Sequence, residues 1–356
     1  MESQAQLTAL QQQQQHWDRV AEMKSIVHEI ETIYDAGTPI FTKHEMQKVG
    51  EELAVFRKGA LDGRKINFKG INGAKVDIFI DPRKHDLSQS KSDMGSTWII
   101  DYHSIQRLTN YSDPRHFVPQ TAYLPMHITA CTRELENAAD DTKSTLVHSA
   151  DDLSKVYKDA EREWRASKYH EQLQQVLAAV EVPFVLDKVI GFSLGPLSFG
   201  PHLINHSMIQ HALISALHSN LLQCRTSSTC ERYIQDPAYQ KWHKDVLSRE
   251  GFTVLDDPEA FLLVDESSIL VSINSDIPVK EIVADICRPG IIVWDKEHDS
   301  HQIRETSTLF PLEATPIPAD SYSSRVKKML KEEYYQVDLP YDEFLGDLMM
   351  YIRKST

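Results

Sequence analysis

The segment Val189-Ile-Gly-Phe-Ser-Leu-Gly195-Pro sets two glycines and a serine directly behind an apolar run. In α/β proteins a glycine turn between a buried strand and a helix is a common seat for phosphate or adenosyl groups. Glycine lets the backbone approach closely, and the helix start offers free N–H groups and a positive dipole end. Gly191, Ser193 and Gly195 are therefore candidate ligand contacts. The pattern is neither Gly-x-Gly-x-x-Gly nor a P-loop, since no Gly-Lys-Ser/Thr follows and Pro196 removes a donor. Asp236 closes a second apolar run, where such folds keep an acid for ribose hydroxyls. It lies far beyond the usual interval of about twenty residues past the glycines, so a turn-capping Asp-Pro is the competing reading. Asn274 and Ser275 follow a further apolar run, and His211 sits beside Gln210 in the helix after the glycine turn. If the runs are parallel strands, these residues gather at one edge of the sheet and line one pocket, with His211 near its rim. A nucleotide or an S-adenosylmethionine-like ligand suits that chemistry.

Other chemistries are less well supported. His202 and His206 have the i, i+4 spacing of a metal pair, but the Glu of His-Glu-x-x-His is missing and no acid or cysteine follows closely. Cys131, Cys224, Cys230 and Cys287 spell no Cys-x-x-Cys, so no metal is expected. Gly191-Phe-Ser-Leu-Gly195 matches Gly-x-Ser-x-Gly in form, and His298 and His301 follow the last strand, but Pro196 stands where a nucleophile elbow must begin its helix. Whether the chain is an enzyme stays open.

The elements that must position these residues can be read from periodicity. From Asp187 to Lys296, five short apolar runs alternate with helical stretches: Lys188–Ser193, Arg232–Gln235, Phe252–Leu255, Ser268–Ser272 and Ile291–Trp294. Alternation of this kind implies a doubly wound, mostly parallel, five-stranded Rossmann-like α/β sheet, with strand order 3-2-1-4-5. Gly251 is a C-cap candidate for the helix before the third run. Residues 1–15 end in a glutamine run and are expected to be a disordered tail. Residues 16–150 read as an N-terminal α+β region, in which Thr42 and Glu45 form a capping box and the runs at 65–69 and 75–80 form a hairpin. Residues 151–296 form the core with a long leading helix, and 297–356 read as a C-terminal helical extension.

The chain has 356 residues, 41% hydrophobic and 25% charged, with a formal net charge of −14. The charge argues against a nucleic-acid partner, which needs a basic face. Neither a membrane-spanning run nor a signal-peptide layout is visible, so the expected setting is the cytoplasm or nucleus, with cysteines reduced.

Val189–Gly195, Gln210-His-Ala212, Tyr233–Tyr239, Gly251–Pro258 and Pro289–Asp295 together resemble the SRR-like domain, named for "sensitivity to red light reduced", in its fungal branch. The resemblance covers Asp187 to Lys296. It implies a regulatory protein, since relatives are linked to light and clock signalling in plants and to haem metabolism or cytoskeletal phenotypes elsewhere, and it implies protein partners. It brings no settled activity, so a ligand sensor, an adenosyl-dependent transferase and a non-catalytic scaffold all remain. Where plant and animal relatives tend to carry a Met-Pro-His-Cys-like turn, this chain reads Ile273-Asn-Ser-Asp-Ile-Pro278, so chemistry needing that His or Cys does not transfer.

Overall fold

The five apolar runs form the centre of one sheet in the computed structural model, which describes residues 2–59, 62–81, 94–111, 117–134, 150–197, 206–224, 230–297 and 319–355. They are β5 (Lys188–Phe192), β6 (Glu231–Gln235), β7 (Thr253–Val254), β8 (Ser268–Ser272) and β9 (Ile291–Asp295). All run parallel, in the spatial order β7-β6-β5-β8-β9. Every residue of β8 is buried, as expected of a strand covered on both faces. Alternate residues feed two cores. Ile190, Phe192, Leu270, Ile292 and Trp294 pack on one side, and Val189, Ile269, Val271, Ile291 and Val293 on the other. The strand order turns back between β5 and β8, and a crevice beyond those two strand ends is the usual ligand position in this architecture.

The second of these faces is covered by α4 (Ala150–Arg165), α5 (Lys168–Ala179), α6 (His206–Cys224) and α7 (Lys241–Arg249). The leading stretch is thus two helices, divided where the Ser167 side chain caps the start of α5 by accepting from the His170 N–H. Gly251, at φ +83°, ends α7 in the left-handed conformation that glycine adopts cheaply. The first face is covered by α8 (Glu259–Leu263), α9 (Val279–Ile286), α10 (Ser324–Glu333) and the N-terminal region.

Three expectations are corrected. The sheet has seven strands, not five, because β11 (Leu348–Arg353) pairs antiparallel with β9, and β10 (Tyr334–Asp338) with β11. The C-terminal extension is therefore a helix and a hairpin rather than helical throughout. Leu348-Met-Met-Tyr-Ile352 lacks alternation because β11 is buried on both faces between its neighbours, and a short apolar run of that kind does not declare itself a strand. The glutamine-rich start also departs from expectation: α1 runs unbroken over Glu2–Asp35, in keeping with glutamine's good helix propensity.

In the N-terminal region Thr42 caps α2 (Lys43–Arg57), and β1 (Arg64–Lys69) pairs antiparallel with β2 (Lys75–Ile80). A second antiparallel ribbon joins β3 (Met94–Tyr102) to β4 (Met126–Glu134), and α3 (Ile105–Thr109) follows β3. Tyr102 crosses to the core, where its hydroxyl donates to Asp257 Oδ1 at 2.6 Å. Gln235 Nε2 donates to the same oxygen at 3.1 Å, and Gln235 Oε1 accepts the Ala260 N–H at 2.8 Å.

Burial raises the Asp257 carboxyl to about 6, against the opposing pull of Tyr102 and Arg57. A carboxyl raised on folding binds its proton more tightly in the folded state, so its contribution to stability falls as pH rises from about 4 to about 6. Asp257→Asn keeps the acceptor oxygen. It is expected to flatten the stability–pH curve across that window, by up to about 3 kcal/mol, and to raise stability at neutral pH. Urea unfolding at a series of pH values checks this, and an unchanged slope would contradict it.

Candidate functional site at the strand ends

Ser193 follows the last residue of β5 and Asn274 lies just beyond β8, and both sit at positive φ, +53° and +50°. Such backbone is unfavourable for residues other than glycine, and it persists where the surroundings impose it. Here the imposing contacts are visible. The Ser275 hydroxyl donates to Ser193 Oγ at 2.8 Å, spanning the two strand ends, and accepts the Ile277 N–H at 3.1 Å. The Asn274 N–H donates to Asp295 Oδ1 at 3.3 Å, and the Asn274 side chain is exposed.

Gly195, at φ +77°, donates its N–H to Asp236 Oδ2 at 2.8 Å, while Asp236 Oδ1 accepts the Ala238 N–H at 2.7 Å. Each oxygen of the candidate ribose acid thus accepts a backbone N–H, the turn-capping role, and the same carboxylate ties the glycine turn to β6. The Gly195 carbonyl accepts the Ser207 hydroxyl at 2.8 Å. Gly191 serves packing: a Cβ there would stand 2.9 Å from Leu194 Cδ1 and 3.0 Å from Ile214 Cδ1, so the glycine lets α6 lie close on β5.

His211 is not at the rim. It is fully buried in α6, with Nδ1 2.7 Å from the Ser207 carbonyl and Nε2 2.8 Å from the Tyr239 hydroxyl. Burial lowers it to about 4, so the ring is neutral. The carbonyl can only accept, which makes Nδ1 the N–H donor and leaves Nε2 to accept from Tyr239. The helix is buried nearly all round over Met208–Leu217, so a polar residue there has no route to a rim. The structure therefore brings Ser193, Gly195, Asp236, Asn274 and Ser275 together and places Gly191 and His211 beneath them. His202, His298 and His301 lie outside the described residues.

Two clusters escape the sequence. Lys280, fully buried, donates from Nζ to Asp295 Oδ1 at 2.9 Å and Asp320 Oδ2 at 2.8 Å, under the rings of Trp294 and Tyr322. Burial works against its ammonium, but Asp320 and Asp295 outweigh it and hold the pKa above the ordinary value. Because Asp295 Oδ1 also accepts the Asn274 N–H, this lysine steadies the turn that follows β8. The second cluster is Asp101, His103 and His127 on the β3–β4 ribbon, whose candidate ligand atoms all lie within 4.8 Å of one another. No spacing rule flags it, because Asp101 meets His127 only through the strand register.

Residues 170–339 match the family model of the SRR1 domain. The matched stretch, just under half of the chain, is similar to the SRR1 domain. It runs from α5 through β10, wider on both sides than the resemblance at 187–296. No curated protein matches the chain. Among solved structures, magnesium protoporphyrin IX methyltransferase from Synechocystis with bound SAH is 12% identical, covering 58% of this chain and 98% of that one at a TM-score of 0.27. A Haloferax volcanii complex containing a methyltransferase activator gives 13%, 57%, 98% and 0.29 in the same terms. The N-methyltransferase NodS from Bradyrhizobium japonicum gives 10%, 56%, 98% and 0.27. Among the described residues, no helix is long and apolar enough to cross a membrane.

Truncating Lys280 to alanine strands the buried Asp320 carboxylate and is expected to cost about 3 to 5 kcal/mol. Denaturant unfolding of Lys280→Ala measures this, and a loss under about 1 kcal/mol would show that the lysine does not hold the two acids.

Proposed function

We propose that the protein is a regulatory SRR1-domain protein that senses a nucleotide-like or S-adenosylmethionine-like small molecule at the crevice between the ends of β5 and β8. It would signal through protein partners in the cytoplasm or nucleus. The observation that carries the reading is the pair of non-glycine residues at positive φ, Ser193 after β5 and Asn274 after β8, at the neighbouring strand ends where the strand order reverses. Backbone strain of this kind concentrates at ligand clamps, and the reversal point is where open α/β sheets bind ligands.

The exposed amide of Asn274 and the half-buried Ser193 hydroxyl suit the uncharged polar edges of a ribose or a base better than a phosphate chain. Gly195 and Asp236 then act from behind, shaping the turn on which the ligand lies. Binding rather than catalysis fits the groups present. His211 is buried with both nitrogens engaged, Lys280 is held by two carboxylates, and Ser193 has another hydroxyl as its partner instead of a base.

Thermal unfolding with S-adenosylmethionine, S-adenosylhomocysteine, NAD, ATP and haem tests this. An adenosyl-bearing compound is expected to stabilise the fold by about 2.7 kcal/mol at a hundredfold excess over Kd. Ser275→Ala, which removes the link between the strand ends, is expected to weaken that binding about fivefold. Asn274→Gly relieves strain and should leave unfolding without ligand unchanged or raised by up to about 1 kcal/mol while lowering affinity. Silence across the whole panel would point to a scaffold without a small-molecule ligand.

A further inference from the structure

We propose that Asp101, His103 and His127 form a binding site for a divalent transition-metal ion on the outward face of the β3–β4 ribbon. The register places them there. Asp101 is directly opposite His127, and His103, one residue past the end of β3, has its Nε2 against Asp101 Oδ2. The alternate positions, Trp98, Ile100, Tyr102, Met126 and Ile128, are all buried against the body of the protein. The three candidate side chains retain 25%, 18% and 30% of their exposure, so an ion can reach them.

The distances are close to those a metal requires. Bonds of about 2.1 Å at tetrahedral angles put neighbouring ligand atoms about 3.4 Å apart. His103 Nε2 lies 3.2 Å and His127 Nε2 3.9 Å from Asp101 Oδ2. The two imidazole rings meet edge to face, 5.1 Å apart, and the three ligand atoms all fall within 4.8 Å of one another. Small side-chain rotations would bring them onto one ion with no backbone movement.

Each histidine presents its Nε2 toward Asp101 Oδ2, the arrangement that ligation of one ion needs. Two imidazoles and one carboxylate are borderline ligands that suit Zn2+, Co2+ or Fe2+ better than Ca2+ or Mg2+, and three protein ligands leave a position open for water. Arg107 opposes the ion. Its Nη1 and Nη2 hold Asp101 Oδ1 and Oδ2 at 2.7 and 2.8 Å. Metal binding would take Oδ2 and leave Oδ1 on Arg107, so the guanidinium orients the carboxylate while lowering affinity through its charge.

Titration of the full chain with Co2+ and Zn2+ tests the site. One equivalent is expected, with Co2+ giving visible absorption bands of low-symmetry coordination. Zn K-edge spectra should show imidazole and oxygen ligands without sulfur. His103→Ala, His127→Ala and Asp101→Asn should each weaken binding at least about tenfold and abolish the Zn2+-induced rise in unfolding temperature, while the exposed His44→Ala changes neither. Arg107→Ala keeps every ligand and should tighten binding on the order of tenfold, and this holds even if a ligand variant fails to fold. Failure to bind either ion, binding that survives the His103→Ala/His127→Ala double variant, sulfur in the Zn2+ shell, or weaker binding in Arg107→Ala would each overturn the proposal.

Discussion

The Lys280 ammonium, clamped between Asp295 and Asp320, is the interaction on which the assembly of this chain turns. A buried ammonium without carboxylates is intolerable, so both acids must be in place whenever the protein is folded. Asp295 is the last residue of β9, and Asp320 belongs to the segment that leads into α10. Pairing both with one helix residue fixes where the chain returns to the body and how the β10–β11 hairpin comes to lie along β9. The Asp320 carboxylate further accepts the Lys280 N–H at 2.8 Å, and the Tyr322 hydroxyl donates to the Asp295 carbonyl at 2.5 Å.

The same helix secures the N-terminal region. Glu281 accepts the Ile105 N–H at 2.8 Å, which docks the start of α3. Asp285 accepts the N–H groups of Ile40 and Phe41 at 2.7 and 3.0 Å and pairs with Arg325 of α10. Tyr34 of α1 donates to Ser323, the residue that caps α10, at 2.9 Å. Three charged residues of one short helix therefore turn inward, and each finds its partners in a different part of the chain. This ties the α/β sheet, the N-terminal helices and the C-terminal hairpin together, and it holds the turn after β8 through the Asp295–Asn274 contact.

The legibility of the fold followed how local each signal was. The five core strands announced themselves as apolar runs between turns, and Thr42 and Gly251 marked helix ends by their own chemistry. The fully buried β11 and the amphipathic β10 were not readable, because strand identity there depends on a neighbour far away in sequence. The candidate site was legible in its parts. Ser193, Gly195, Asp236 and Ser275 meet because parallel strands end at one edge. What remained hidden was the purpose of each: Asp236 is occupied with turn amides, Gly191 with helix packing, and His211 with an interior pair. A buried lysine such as Lys280 looks like a surface one in sequence, since its acids lie on later segments. Asp101 and His127 share a face only through a strand register that no sequence pattern states.

The central claim is that a small ligand binds where the ends of β5 and β8 are held together. Amide NMR of the labelled full chain during titration with S-adenosylhomocysteine, and in parallel with ATP and NAD, tests it most directly. The account predicts saturable shifts concentrated at the amides of Ser193, Gly195, Asn274 and Ser275, with the buried His211 ring unmoved. Shifts confined elsewhere, such as the 420 Å³ cleft lined by Arg57, Asp256 and Glu259 between α2 and α8, or no saturable shift with any of these ligands, would contradict it.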